Sequence, residues 1–382
     1  MQEMERARRK NAVYARVCFY TALAAAILAF FTFRRFDFLL LKTGGFLAPL
    51  LVPLLMLPLA WLTSRLVHEC GHLAFGLLSG YRFSVFQIGN LELVRKRGRL
   101  RLYWRPALRG FARCMLGPPE KKNGQYPYIL YLLGGVIMEV ITMAGCYAAL
   151  SSDTLHILWK AWFFALFWFC LSGALVNGLP LGGEIAGSEG YTAVTLAADH
   201  AKHDVLWAQM KIRQLCTDEL RLKDIPEELF SLPDDTELYK GWAGAQAVLY
   251  AERIMDEHRF PEARALMERL MTNQAFTESF YGIYLSCHLI CLRLLDGDSA
   301  EPLITRKLLR LMKMLGNDID IRRTQYIYAL FTEHNELQRE VKREQFERAA
   351  ARYPDEGAVQ AARELVTLAE ARMYAAQNQE SQ

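Results

Sequence analysis

Four long apolar stretches in the first 182 residues restrict the folds open to this chain. They cover residues 12–33, 45–62, 127–150 and 155–181. Each approaches or exceeds the roughly 20 residues that a helix needs to cross a bilayer core of about 30 Å. As buried helices of a soluble protein, they would leave too little polar surface to cover them. We therefore predict four transmembrane helices.

The distribution of Lys and Arg predicts the orientation of these helices, because both accumulate in short cytoplasmic loops. The N-terminal MERARRK and the connection 82–122 are basic, whereas the turn SSDTLH has no Lys or Arg. Arg34, Arg35 and Lys42 in the first external turn disagree, but the larger asymmetry outweighs them. Both termini are therefore predicted to be cytoplasmic, in the cell membrane of a bacterium.

The basic connection and the cysteines exclude other classes of protein. Lys and Arg next to a membrane set topology and contact anionic lipid, so no nucleic-acid partner is expected. The eight cysteines contain no CxxC pair, which argues against a disulfide framework and a zinc-thiolate cluster.

The second half of the chain shows helical periodicity with charged faces. Successive amphipathic segments resemble the helix pairs of tetratricopeptide repeats, although no strict period is found. We predict a membrane domain over residues 1–195, a linker over 196–240 and a cytoplasmic helical-repeat domain over 241–382. The helical domain carries no catalytic pattern, so we expect it to hold a cytosolic protein partner or to rigidify the membrane domain.

The motif HECGH at residues 68–72 has the chemistry of a hydrolytic zinc site. His68 and His72 are four residues apart, so on a helix both imidazoles can bind one Zn²⁺ ion. Glu69 can then act as the general base that takes a proton from water and passes it to the leaving amine. The alternative is that the three side chains only pair with one another near the headgroups.

A catalytic zinc ion needs a third protein ligand. The metzincin pattern fails because Phe75 replaces its glycine, and Glu92 lies in a predicted strand. The glycine-rich segment VNGLPLGGEIAGSEGY ends the fourth apolar stretch on the predicted cytoplasmic side. Glu189 in this segment is the expected third ligand, and Glu184 is the alternative.

Together these motifs resemble the site-2 protease family of intramembrane zinc metallopeptidases. The family has HExxH on one transmembrane helix and NxxP followed by an Asp-Gly pair on a later one. Asn177 and Pro180 match NxxP, while Glu189 and Gly190 match the ending with Glu for Asp. The longer glutamate side chain implies a different backbone position. The resemblance covers residues 55–191.

Two further segments are similar to family features. Residues 82–104 alternate as two strands around residues 96–98, like the membrane-associated β-hairpin that receives substrate by strand addition in this family. LLGGVIME resembles a Gly-Gly-Pro-x-x-Asn signature, with Glu139 at the Asn position. Glu139 is either an accessory active-site group or a residue paired with a neighbouring helix.

The sequence thus predicts a mostly α polytopic membrane protein with a short β-hairpin and a C-terminal helical domain. The resemblance implies an intramembrane zinc metalloendopeptidase that cleaves membrane-inserted proteins or peptides within the lipid bilayer. The competing hypothesis is a membrane scaffold with an impaired metal site, which recruits cytosolic partners through its helical domain.

Overall fold

The computed structural model describes Tyr20 and residues 48–104, 111–182, 187–232, 241–273, 276–277, 279–333 and 335–380. Most of these residues are helical, and the strands form a small antiparallel sheet. The chain divides into two compact units. The N-terminal unit is Met1–Ile88 with Phe111–His203, and the C-terminal unit is Gly89–Gly110 with Asp204–Gln382.

In the part of the N-terminal unit that the structure describes, three long helices contact one another. Its helices are α1 (Ala48–Leu78), the single turn α2 (Ile129–Leu132), α3 (Gly134–Leu150), α4 (Ile157–Gly178) and α5 (Glu189–Ala198). Contacts join α1, α3 and α4 pairwise. These helices are apolar over most of their length, so they pack through a core that includes Ala60, Cys146 and Ala165.

Of the described helices, one is long and apolar enough to cross a membrane, namely Leu158–Gly178. Gly134–Leu150 is a shorter apolar helix. The first predicted span, residues 12–33, lies outside the described residues. The mostly helical fold is thus confirmed, whereas the four transmembrane helices stay a prediction.

The strands form two antiparallel pairs, one in each unit. In the N-terminal unit β1 (Arg82–Ile88) pairs with β4 (Ala112–Gly117), with an irregularity between Phe83 and Val85. In the C-terminal unit β2 (Leu91–Lys96) pairs with β3 (Arg99–Trp104). The sequence predicted two strands over residues 82–104. The structure divides the first of them at residues 89–90 and adds β4.

The β2–β3 hairpin closes through a two-residue turn. Arg97 and Gly98 both have positive φ, at 46° and 77°, as a type I′ turn requires. The hairpin has one buried face, formed by Glu92, Val94 and Lys96. On the other face the large apolar side chains are exposed, and they are Leu91, Leu100, Leu102 and Trp104.

The remaining helices belong to the C-terminal unit, apart from the first residues of α6. They are α6 (His200–Thr217), α7 (Gly241–Asp256), α8 (Phe260–Met271), α9 (Phe280–Asp296), α10 (Arg306–Met314), α11 (Ile319–Thr332), α12 (Glu336–Ala350) and α13 (Glu356–Glu380). Helix α11 contacts α9, α12 and α13, and α8 contacts α7 and α9. Their facing sides bury one apolar core that includes Met267, Leu289 and Phe346.

Local sequence signals explain where several of these helices begin and end. Asp318 and Asn335 accept hydrogen bonds from the first backbone N–H groups of α11 and α12, so they are N-caps. Gly297 ends α9 in the left-handed conformation that glycine adopts readily. Residues 196–240, predicted as a linker, contain all of α6 and two 3₁₀ turns.

A buried arginine ties these turns to the helical core. Arg221 donates to Asp256, with 2.6 Å between Nη2 and Oδ1, and also pairs with Glu364. The Arg221 and Asp256 side chains are only 7% and 5% exposed. The Arg221 hydrogen bond lowers the pKa of Glu364 to about 2. Since this pKa is lowered from 4.5, the pair stabilises the folded unit above pH 4.5 and its contribution is lost as the pH falls toward 2.

We expect Arg221→Ala to destabilise the C-terminal unit by about 3–5 kcal/mol, because it leaves the Asp256 carboxylate buried without its charge partner. Hydrogen exchange of α7 and α13 in the full-length protein measures the effect. The control is Arg259→Ala, which removes a 42% exposed arginine that also pairs with two glutamates. Equal protection in the two variants would contradict a stabilising role for Arg221.

Candidate metal centre

Helix α1 carries His68, Glu69 and His72 near its C-terminal end. The two imidazoles lie on one helix face, since four residues make slightly more than one turn. His68 is buried at 5% exposure, and the other two side chains are half-buried. The motif therefore presents its polar atoms toward the interior of the N-terminal unit.

A close contact between two helix backbones positions the motif. An added Cβ at Gly71 would lie 2.2 Å from the Gly134 carbonyl oxygen, and one at Gly134 would lie 2.7 Å from the Gly71 carbonyl oxygen. Real Cβ atoms do not approach so closely, so only glycine fits at either position. The His68 ring fills the space beside Gly135, whose added Cβ would lie 2.5–2.7 Å from three ring atoms.

The chain after α4 places Glu189 opposite this face. Pro180 ends α4, because the residue before a proline is restricted to extended backbone, as Leu179 shows with ψ of 142°. Ser188 then caps α5 by accepting from the Tyr191 N–H at 3.0 Å. Gly190 allows the close approach to α4, since an added Cβ would lie 2.0 Å from the Gly178 carbonyl oxygen.

Three side-chain atoms converge at this point. The Nε2 atoms of His68 and His72 lie 3.2 Å apart, and Glu189 Oε1 lies 2.8 and 2.9 Å from them. A tetrahedral zinc ion with bonds of about 2.0–2.1 Å separates its ligands by roughly 3.3 Å, so a small relaxation of this triangle accommodates the ion. Two histidines and a glutamate also form one of the recurrent ligand sets of catalytic zinc.

The surrounding groups supply the partners that a metal-bound ligand set would use. His72 Nδ1 lies 2.8 Å from the Tyr131 carbonyl oxygen, which can accept the Nδ1 proton when Nε2 binds a metal ion. Burial opposes ionisation of Glu189, but hydrogen bonds with His68 and His72 prevail and lower its pKa to about 2. Its second oxygen, Oε2, is buried with no hydrogen-bond partner in the described part of the chain. The residues present therefore fit a zinc ion.

A cavity opens beside the motif, on the side of Glu69 and His72. Its volume is about 240 Å³, and residues of β4 and α2 form its other walls: Ala112, Arg113, Cys114, Tyr131 and Leu132. The Cys114 backbone N–H donates to Glu69, and the Tyr131 hydroxyl donates to the Cys114 carbonyl oxygen at 3.3 Å. A small polar reactant in this cavity would thus reach Glu69.

The structure brings together His68, His72 and Glu189, which are the predicted ligands. Glu184, the alternative ligand, lies outside the described residues. Asn177 lies in the last turn of α4, Pro180 follows α4 and Gly190 is the second residue of α5, and none of the three contributes an atom to the triangle. Glu139 is buried beside His68, with 3.3 Å between Oε2 and His68 Nδ1.

Two functional contacts were not predicted from the sequence. Arg65 pairs with Glu139, and the Tyr131 carbonyl oxygen orients His72. Arg65 lies three residues before His68 and shares its helix face, while Glu139 is the one charged residue of α3. One basic and one acidic side chain on two mostly apolar helices therefore indicate that the two side chains pair.

Family models, curated proteins and solved structures yield no match to this chain. Its function is therefore inferred from its own residues.

We expect Glu189→Ala to abolish zinc binding, because only two protein ligands remain. Glu189→Asp should bind zinc more weakly than the natural chain, since the Ser188 cap and the Gly190 contact hold the backbone in place. Zinc content of the purified protein by mass spectrometry measures both effects, with about one equivalent expected for the unchanged protein. Glu184→Ala is the matched control, and zinc loss in that variant instead would identify Glu184 as the ligand.

Proposed function

We propose that this protein is an intramembrane zinc metalloendopeptidase of the site-2 protease type. The observation that carries the proposal is the triangle of His68 Nε2, His72 Nε2 and Glu189 Oε1, with Glu69 lining the adjacent cavity. The bound Zn²⁺ supplies Lewis acidity that activates water and polarises a peptide carbonyl. The motif resemblance over residues 55–191, which includes these residues, supports the same proposal.

Glu69 is the general base in this proposal. It borders the cavity with His72, and the Cys114 N–H holds its carboxylate toward β4. Glu69 accepts a proton from the attacking water and returns it to the leaving amine. Both proton transfers need a side chain that reaches water and substrate, which a glutamate at the cavity wall provides.

The substrate in this proposal is an unwound segment of a membrane protein or peptide. Helical peptide bonds are shielded by their own hydrogen bonds, so the segment must extend before attack. Strand β4 lines the cavity and stands at the end of the sheet, with β1 as its neighbour. An extended peptide could therefore add alongside β4 through backbone hydrogen bonds. The sequence predicted that substrate adds to a hairpin over residues 82–104, and β1, the strand beside β4, belongs to that segment.

The membrane placement is part of the same proposal. Four transmembrane helices, with both termini in the cytoplasm of a bacterial cell, would put HECGH at the cytoplasmic end of a span. Leu100, Leu102 and Trp104 are 61–72% exposed on one face of the β2–β3 hairpin, beside exposed arginines. Such a face suits the boundary between acyl chains and anionic headgroups. The helices of the C-terminal unit would recruit a cytosolic protein partner.

We expect Glu69→Gln to reduce cleavage of a co-expressed single-span membrane protein by at least about 100-fold, because the general base is lost while the metal ligands remain. Immunoblotting follows cleavage, and zinc content is measured on the same samples. Glu336→Gln, which changes an exposed glutamate of α12, is the control.

The same variant identifies substrates. Glu69→Gln should retain uncleaved membrane proteins, which co-purification and mass spectrometry can name. Undiminished cleavage by Glu69→Gln would remove Glu69 as the base. A natural chain that binds no zinc would favour the membrane-scaffold hypothesis.

A further inference from the structure

Helix α3 carries a fully buried carboxylate that the proposed chemistry does not use. Glu139 has 0% exposure, inside a helix whose other residues are uncharged. Burying a charge is costly unless it is paired and hydrogen-bonded. Its position therefore calls for partners that use both carboxylate oxygens.

The two oxygens face two different residues of α1. Oε1 accepts from Arg65 Nη2 at 3.1 Å, so the arginine balances the charge. Oε2 lies 3.3 Å from His68 Nδ1. Within the described part of the chain, neither Oε2 nor Nδ1 is engaged in a hydrogen bond, and the contact between them is at ion-pair distance. Each is therefore the available partner of the other.

Helix α4 leaves room for this arrangement at Gly173. An added Cβ there would lie 2.1 Å from Glu139 Oε1 and 2.6 Å from Arg65 Nη2. A larger residue would displace the carboxylate from both partners. The carboxylate is thus held between α1 and α4 in the orientation that faces His68.

We infer that Glu139 is a positioning residue for His68. When a zinc ion is bound, the carboxylate would accept the Nδ1 proton and leave the Nε2 lone pair for the ion held with His72 and Glu189. The Tyr131 carbonyl oxygen does the same for His72 at 2.8 Å. Each histidine would then have its own outer partner, an arrangement that fixes ring orientation in metal sites. This inference rests on the proposed zinc site and assigns Glu139 no contact with substrate.

The experiment measures zinc affinity rather than activity. Full-length protein is stripped of metal with a chelator, and Zn²⁺ binding is measured by competition with a chromophoric chelator. Glu139→Ala should weaken zinc affinity about 10–100-fold, as loss of an outer partner does in metal sites. Glu139→Gln should recover part of this loss, because its amide oxygen still accepts the Nδ1 proton but carries no charge.

A further variant displaces the carboxylate without changing Glu139 itself, and it has a matched control. Gly173→Ala should weaken zinc affinity in the same direction, because its Cβ pushes Glu139 aside. Gly145→Ala on α3 is the matched control, since an added Cβ there meets nothing within 4 Å. Visible absorption of the Co²⁺-loaded proteins should change in Glu139→Ala and Gly173→Ala, and match the natural protein in Gly145→Ala.

The outcomes separate this inference from the proposed function. If the natural protein binds zinc and both Glu139→Ala and Gly173→Ala bind it equally well, the positioning role is wrong. If the natural protein binds no zinc, the proposed function fails and the inference fails with it. Thermal unfolding of the metal-free proteins detects a merely structural role, which would lower stability and leave the affinity of the folded protein unchanged. If Glu139→Ala does not fold, Glu139→Gln and Gly173→Ala decide.

Discussion

The contact between the α1 and α3 backbones at Gly71 and Gly134 is the one on which the site depends. This contact lets the His68 ring lie against Gly135 of α3. It also brings Glu139 within reach of α1. Association between apolar helices is stabilised mainly by van der Waals packing, and small residues let the two backbones approach closely. The polar cluster is therefore a consequence of an unusually tight apolar interface.

Local backbone structure positions Glu189, the candidate third ligand. Glu189 is the first residue of α5, after a proline-terminated helix and a serine cap. The proline and the serine cap both act on the backbone, so together they determine the position of the Glu189 Cα atom. A glutamate then spans the remaining distance to both imidazoles, at 2.8 and 2.9 Å. A glutamate at this position is thus compatible with a complete ligand set.

Sequence reasoning predicted the parts of the fold and the site that depend on local pattern. The four-residue spacing of the histidines in HECGH puts both on one face of any helix that contains the motif. The periodicity after residue 195 likewise predicts amphipathic helices. It did not predict the Arg65–Glu139 pair, strand β4 or the use of the Tyr131 carbonyl oxygen. These depend on which helices pack together and at what distance, and neither appears in the order of residues along one element. Glu189 was predicted because it lies in the glycine-rich segment that ends the fourth apolar stretch, which is itself a local signal.

The placement of the β2–β3 hairpin has a consequence for how this chain can be divided. The hairpin belongs to the C-terminal unit although residues 111–203 separate it from the rest of that unit. Lys96 and Arg97 pair with Glu219, so the hairpin is held to the helical part by charge as well as by its buried face. The chain passes from one unit to the other three times. Cleavage at a single position therefore cannot release either unit intact. A fragment that begins at residue 204 would lack two strands and leave Glu219 without these partners.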